Sequence, residues 1–269
     1  MNYRHAFHAG NFGDCVKHAL LVALLRALPR KPAPLFVLDT HAGAGHYDLA
    51  AEPARRTNEA ADGIFRILDG EPPALRDYAA TVRSLGLYPG SPALIRALLR
   101  NDDRLACCEA HPEDHAALRR LFRHDRQVAV HQRDAWEALK ALLPPAQKRG
   151  LVLIDPPYED PREFARLAEG LTLAQARFPT GVLAAWYPVK HRAPVRAFFD
   201  TLALRDVIAA ELLLREPLDP TRLNGCGLLV VNPPYQFEPE AQSILDALLD
   251  RLGNREPGEA ATVTRLADE

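Results

Sequence analysis

No stretch of eighteen or more apolar residues occurs in the sequence, so it offers no candidate for a membrane-spanning helix. The opening residues, Met1-Asn2-Tyr3-Arg4-His5, lack the apolar core of a secretory signal. Cysteine is scarce: Cys15, Cys107, Cys108 and Cys226 have the spacing of neither a disulfide framework nor a zinc ribbon. A cytoplasmic protein with reduced thiols, no membrane anchor and no metal is therefore expected. Lysine is rare too, with five (Lys17, Lys31, Lys140, Lys148, Lys190) among 33 basic residues. A GC-rich genome explains such an arginine bias more readily than selection for phosphate binding. Excess charge of one sign is missing. The net is −2, so contact with a polyanion must come from local basic patches. Internal repeats and low-complexity segments are also absent.

What is present is a chain of 269 residues, long enough to bury the core of one large α/β domain or two small ones. Apolar runs ending in turn signals recur at Leu35–Leu38, Leu105–Cys108, Val128–Val130, Leu151–Ile154, Val182–Trp186, Val207–Leu214 and Gly227–Val231. Helical patterns lie between most of them: Asp14–Leu28, Pro112–Phe122, Ala135–Leu142, Pro161–Arg177, Ala193–Leu202 and Pro239–Leu252. Such alternation predicts a parallel sheet covered by helices on both faces. Only the polar loop Arg215–Cys226 joins the last two strands, so they should form an antiparallel hairpin at one edge. Seven strands with the last antiparallel is the methyltransferase variant of a Rossmann-like sheet, and it is the α/β fold expected here as a single domain over 1–269. Residues 46–89 interrupt the alternation as a small helical insertion, with helices expected over Ala54–Leu68 and Leu75–Leu85. The tail after Asn254 reads as frayed.

Three constellations point to chemistry at the carboxyl ends of the strands. The first is Asp39-Thr-His41-Ala-Gly43-Ala-Gly45, a glycine turn directly after a strand, where the backbone can approach a ligand closely. Its spacing lacks the full dinucleotide fingerprint, which argues against NAD. The second is an acidic series: Glu109 closes the second strand, placed to accept both hydroxyls of a ribose, and Asp134 follows the third, placed to meet an adenine edge. The third, and strongest, is Asp155-Pro156-Pro157-Tyr158 after a buried strand. An exocyclic adenine nitrogen is a poor nucleophile because its lone pair is delocalised into the ring. Acceptors on its N–H groups, here the Asp155 carboxylate and a proline carbonyl, draw it towards sp³ geometry. The prolines stiffen that loop, and Tyr158 offers a stacking face for a base lifted out of its helix. A second copy of the pattern, Asn232-Pro233-Pro234-Tyr235, follows the antiparallel strand and should emerge at the opposite edge in a structural role.

The N-terminal segment, residues 1–30, reads as a polar lid followed by a helix, with Tyr3 and Arg4 against substrate and His18 near the cofactor. His5/His8 and Asp14/His18 have metal-like spacings but lack cysteine partners or a clear third ligand. Two basic clusters, Arg119-Arg120-Arg123-His124-Arg126 and Lys190-His191-Arg192-Arg196, read first as solvated helix faces; together they could form a phosphate-contacting rim.

Taken together, Tyr3-Arg4-His5…Phe7-His8-Ala-Gly10-Asn11…Asp14…Lys17-His18, the Asp39–Gly45 turn, Tyr88-Pro89-Gly90-Ser91-Pro92, Leu153–Tyr158, Trp186-Tyr187-Pro188-Val189 and the closing Val-Asn232-Pro-Pro closely resemble the bacterial RlmJ family. The resemblance spans nearly the whole chain. It implies a 23S ribosomal RNA adenine-N6 methyltransferase that uses S-adenosylmethionine. By motif it implies a cofactor site of His18, His41, Ser91, Glu109, Asp134, Ala135 and Asp155, with Gly43 in the turn. Asp155 would be catalytic and Tyr3 would contact substrate. Ala135 stands where the family often has glycine, which matters little if only its N–H is used. Residues 12–13 read Phe-Gly, a second departure, within the lid.

Three other readings remain. A DNA adenine-N6 methyltransferase would share the Asp155 loop but normally carries a larger target-recognition region. A protein glutamine methyltransferase would need Asn232 to be catalytic. A non-catalytic nucleotide-binding module would have no need of an intact Asp155 loop beside Glu109 and Asp134. A monomer acting on 23S rRNA is expected.

Overall fold

The computed structural model describes residues 5–30, 32–70 and 72–268. Strands β1 (Phe36–Asp39), β2 (Arg104–Cys108), β3 (Val128–His131), β4 (Gly150–Ile154) and β5 (Val182–Val189) form the parallel part of one sheet, with β3 at its edge. It is completed by β6 (Val207–Leu213), β7 (Gly225–Val231) and β8 (Ala260–Ala267). The order across the sheet is β8-β6-β7-β5-β4-β1-β2-β3. Phe36 of β1 is in register with Arg104 on one side and Gly150 on the other, so the chain reverses its winding at β1. In an open α/β sheet such a switch point leaves a crevice beyond the strands' carboxyl ends.

Side chains alternate faces along each strand, and that period of two builds two separate cores. Val37, Leu151, Leu153 and Ala184 face one layer, which contains α1 (Phe12–Ala27) and part of α10 (Phe237–Leu252). Leu38, Val152, Ile154 and Ala185 face the other, formed by α7 (Ala135–Leu142), α8 (Glu163–Arg177) and α9 (Arg192–Asp200). Helix α1 is buried on nearly every side, from Gly13 through Leu25. A helix apolar all round belongs in a core, and here it carries Asp14, Lys17 and His18 into the interior.

The sheet differs from expectation in two ways. There are eight strands, because the tail that looked frayed pairs antiparallel with β6, Ala260 opposite Leu213 and Val263 opposite Ala210. As a result the antiparallel hairpin β6–β7 is not at an edge: β7 lies between β5 and β6, and β8 covers β6. The physical reason is that a bare β6 would expose a full row of backbone donors and acceptors. Gln242 of α10 in turn satisfies part of β8, donating to the Ala261 carbonyl (3.0 Å) and accepting from the Val263 N–H (3.0 Å).

The segment between β1 and β2 is helical, but broken. Helix α2 (Glu52–Thr57) ends at Asn58 in the left-handed region, and a short 3₁₀ turn leads to α3 (Ile64–Leu68). The break lies where the N-terminal loop docks: the Ile64 N–H donates to the Gly10 carbonyl at 2.9 Å. A Cβ on Gly63 would lie 2.0 Å from that same oxygen, so the close approach requires glycine. Helix α4 (Arg76–Ser84) follows. Then α5 (Ser91–Leu98), which was not expected, supplies the β1-to-β2 crossover, and α6 (Pro112–Leu121) runs from β2 to β3.

Candidate active site

At the carboxyl end of β1 the chain turns through Thr40, whose N–H donates to the Leu153 carbonyl (3.0 Å), and Ala42, whose N–H donates to that of Cys108 (3.0 Å). Gly43 takes φ +61, and a Cβ there would meet the Tyr47 hydroxyl at 2.4 Å. The sharp turn therefore needs glycine both for its dihedral and for space. Its N–H donates to Glu109 Oε2 (2.8 Å), while the His111 N–H donates to Oε1 (2.7 Å). Glu109 thus ties two strand-end loops together. Burial pushes its carboxyl up, against those two donors.

Asp134 caps α7, with Oδ1 accepting from the N–H groups of Trp136 (2.9 Å) and Glu137 (3.1 Å). Capping is a structural role that the sequence reading had not assigned to it. Both Asp134 and the buried Ala135 line the same cavity as Gly43 and Glu109. Ser91, the buried first residue of α5, also lines it. Asp39 is fully buried, which pushes its carboxyl up to about 7, opposed in part by Ser91.

Asp155 stands just beyond β4. Lys17 Nζ donates to Asp155 Oδ2 at 2.6 Å and to Asp14 Oδ1 at 3.0 Å. Asp14 Oδ2 is in turn held by the Gly10 N–H (3.0 Å) and lies 2.9 Å from His5 Nε2. Burial works against both charges. Even so, His5 and Lys17 hold the Asp14 carboxyl well below its usual range, and the two carboxylates hold the Lys17 ammonium well above its own. The catalytic-loop backbone is braced separately: the Asp155 N–H donates to His41 Nδ1 at 3.3 Å. Burial lowers His41 to about 4, so its ring is neutral, and the same Nδ1 lies 2.8 Å from the Thr40 hydroxyl. In this structure His41 lines the cavity and also props the loop from behind.

Pro156 and Pro157 line the cavity beside Asp155. Tyr158 takes φ +53, which turns its ring against Phe164 (centroids 5.0 Å apart) and Trp186 (5.9 Å). Its hydroxyl donates to the Trp186 carbonyl at 2.9 Å. His18 lies 1% exposed, with Nδ1 3.1 Å from the Tyr88 hydroxyl, itself 3.2 Å from that of Tyr78. Burial lowers His18 to about 3, and its buried Nε2 has no partner among the described residues. Every cavity-facing residue expected from the sequence is thus gathered in one cavity of about 740 Å³, apart from Tyr3 and Arg4, which lie outside the described residues.

Lys17 was quoted in the sequence but given no role. Its partner Asp155 is 138 residues away, so only the i,i+3 pairing with Asp14 was there to be read. Asn232, by contrast, sits at the other end of the sheet. It follows Val231, which is in register with Leu183 at the start of β5. There its Nδ2 donates to the carbonyls of Pro179 (3.0 Å) and Gly181 (2.7 Å).

Full-length relatives exist. The chain is 38% identical to the Ribosomal RNA large subunit methyltransferase J of Escherichia coli (strain K12), over all of both chains. It is 36% identical to the protein of the same name from Haemophilus influenzae, over 94% of each. A crystal structure of a Legionella pneumophila protein superposes with a TM-score of 0.88 at 35% identity, covering 96% of this chain and 98% of that one. A family model described as "Ribosomal RNA large subunit methyltransferase D, RlmJ" matches residues 32–264. With the catalytic-type loop at the switch point of the sheet and this likeness along its whole length, the chain belongs to the RlmJ family.

Proposed function

We propose that this protein methylates the N6 amino group of an adenine in 23S ribosomal RNA, using S-adenosylmethionine. The observation that carries the reading is Asp155 at the carboxyl end of β4, with one carboxylate oxygen held by Lys17 and its backbone braced by His41. The cavity suits the cofactor. Its volume lies in the range of small-molecule sites, and it brings together a strand-end carboxylate (Glu109) and a buried, unpartnered imidazole nitrogen (His18 Nε2). Glu109 would take the ribose hydroxyls, Asp134 and the Ala135 N–H the adenine edge, and His18, His41, Gly43 and Ser91 the remainder. When bound, S-adenosylmethionine supplies an electrophilic methyl group.

The chain's own contribution is to make a weak nucleophile attack. With Oδ2 fixed on Lys17, Asp155 Oδ1 accepts one N–H of the target amino group, and a carbonyl of the Pro156-Pro157 loop accepts the other. Rigid prolines keep both acceptors in place, so little reorganisation accompanies the reaction. Tyr158, its hydroxyl anchored, offers its ring to the flipped base. Tyr3 and Arg4, in the 1–30 lid segment, are proposed to close over that base, and 46–89 is proposed as an inserted subdomain on the methyltransferase domain.

The test is methyl transfer from labelled cofactor to separate pools of rRNA, tRNA, DNA and protein. Label should enter 23S rRNA as N6-methyladenine. Asp155→Ala should abolish it, and Asn232→Ala should leave turnover within a few-fold. Stacking on an aromatic ring contributes roughly 1–3 kcal/mol, so Tyr3→Ala should lower transfer by one to two orders of magnitude. Equal transfer to DNA duplexes, or loss of activity in Asn232→Ala but not Asp155→Ala, would overturn the reading.

A further inference from the structure

Several arginines in this protein are paired with carboxylates. Arg100 binds Asp103, Arg192 binds Glu211, Arg215 binds Glu256, and Arg265 bridges Asp206 and Glu238. One short stretch gathers several that carry no such pair. Arg119, Arg120, Arg123, His124 and Arg126, at the end of α6 and in the loop to β3, are all exposed. None of them meets a carboxylate among the described residues. The one acidic side chain in the loop, Asp125, is already engaged by Arg96 of α5 and by the Gln127 N–H. Around these side chains lies an open depression of about 740 Å³, whose lining includes Arg96, Arg120, Arg123, His124 and Arg126.

Four arginines held close together without counter-charge repel one another, so the arrangement is unfavourable in the free protein unless solvent screens it. A polyanion relieves that repulsion, and release of its condensed counterions favours binding. The location matters as well. Helix α6 begins beside the catalytic cavity, where Ala110 and Asp114 are part of the wall. Its ten residues span about 15 Å, so the cluster lies roughly one helix length from the cavity mouth. A backbone extending from a base held in the cavity comes within reach of the cluster after a few nucleotides. Guanidinium forks suit phosphate oxygens in bidentate geometry and carry no base-reading role there.

We propose that the α6 end and the loop to β3, through Arg119, Arg120, Arg123 and Arg126, form a docking surface for the RNA sugar-phosphate backbone flanking the target adenine, separate from the catalytic cavity. The surface positions the substrate and reads no sequence. This rests on the rRNA reading above and adds where the RNA outside the target nucleotide is held.

The experiment uses the full chain and a labelled 23S rRNA fragment that wild-type protein methylates. Binding is measured by fluorescence anisotropy from low to moderate salt, for wild type and for Arg120→Ala/Arg123→Ala/Arg126→Ala. The triple variant should bind the fragment ten- to a hundredfold more weakly at low salt. Its log–log salt slope should be shallower by about 2–3, near one for each lost phosphate contact. Affinity for S-adenosylmethionine and turnover at saturating RNA should match wild type, with the loss confined to KM for RNA. The control is Arg205→Ala, an exposed arginine elsewhere. Unchanged affinity and slope in the triple variant would overturn the proposal, as would an equal loss in Arg205→Ala. Circular dichroism melting of the triple variant checks that it is folded, and single substitutions stand in if it is not. If wild type methylates no rRNA at all, the functional reading falls first and this inference falls with it.

Discussion

Single residues set the electrostatics of the cavity, and two of them lend themselves to measurement. Glu109 is tied to Gly43 and His111 but keeps lone pairs facing the cavity, and a charge-assisted hydrogen bond typically contributes about 1.5–3 kcal/mol. Glu109→Ala should therefore weaken S-adenosylmethionine binding tenfold or more by calorimetry; unchanged affinity would remove Glu109 from the site. Asp39 lies under the glycine turn, and burial raises its carboxyl from 3.8 to about 7. A raised folded-state value means that the stability linked to its protonation is complete below 3.8 and is lost as pH climbs through 7. Asp39→Asn should flatten that decline, seen as a smaller fall in melting temperature between pH 4 and 8. An unaltered pH profile would show that Asp39 is not the titrating group. These residues were legible because each stands next to its own strand end. Lys17 was not, since nothing local on α1 announces a partner on the β4 loop.

At the scale of elements, the structure departs most from the sequence reading where an element lacks an apolar pattern of its own. Strand β8, with the sequence Ala260-Ala-Thr-Val-Thr-Arg-Leu-Ala, has short side chains and only partial burial, so periodicity alone left it as tail. Its pairing comes from the demand of β6 for a partner, and Arg265 pins it to Asp206 and Glu238. Ending the chain at Gly253 should expose the β6 edge and uncover part of α10. The expected outcome is a lower melting temperature and concentration-dependent aggregation by light scattering, while a monodisperse truncation of unchanged melting temperature would contradict this. The insertion tells a related story. Its helical character was readable, but the break at Asn58–Gly63 exists because the N-terminal loop packs there. Glu59 completes that junction by accepting from Asn11 Nδ2 (3.0 Å) and lying 2.9 Å from His8 Nδ1.

Considered whole, the molecule separates its two ends. The carboxyl ends of β1, β2 and β4 face the cavity, whereas Asn232 and its Pro-Pro-Tyr copy lie at the opposite end, doing the work of a loop anchor. The two motifs differ in sequence by one residue, and strand direction alone gives them different neighbours. A net charge of −2 likewise conceals an uneven surface on which some arginines are paired with carboxylates and those of the α6 end are not.

The sequence by itself determined the alternation of strands and helices, the antiparallel pairing of β6 with β7, the glycine turn and the strand-end carboxylates. Each of these is written in hydrophobic period or in a short motif within a few residues of the element it ends. Tertiary structure alone decided that a lysine on a buried helix grips Asp155, that His41 props the same loop, and that eight strands rather than seven close the sheet. Those outcomes depend on contacts between segments far apart in the chain. What selects them is the need to satisfy buried charge and unpaired backbone groups, which no local pattern records.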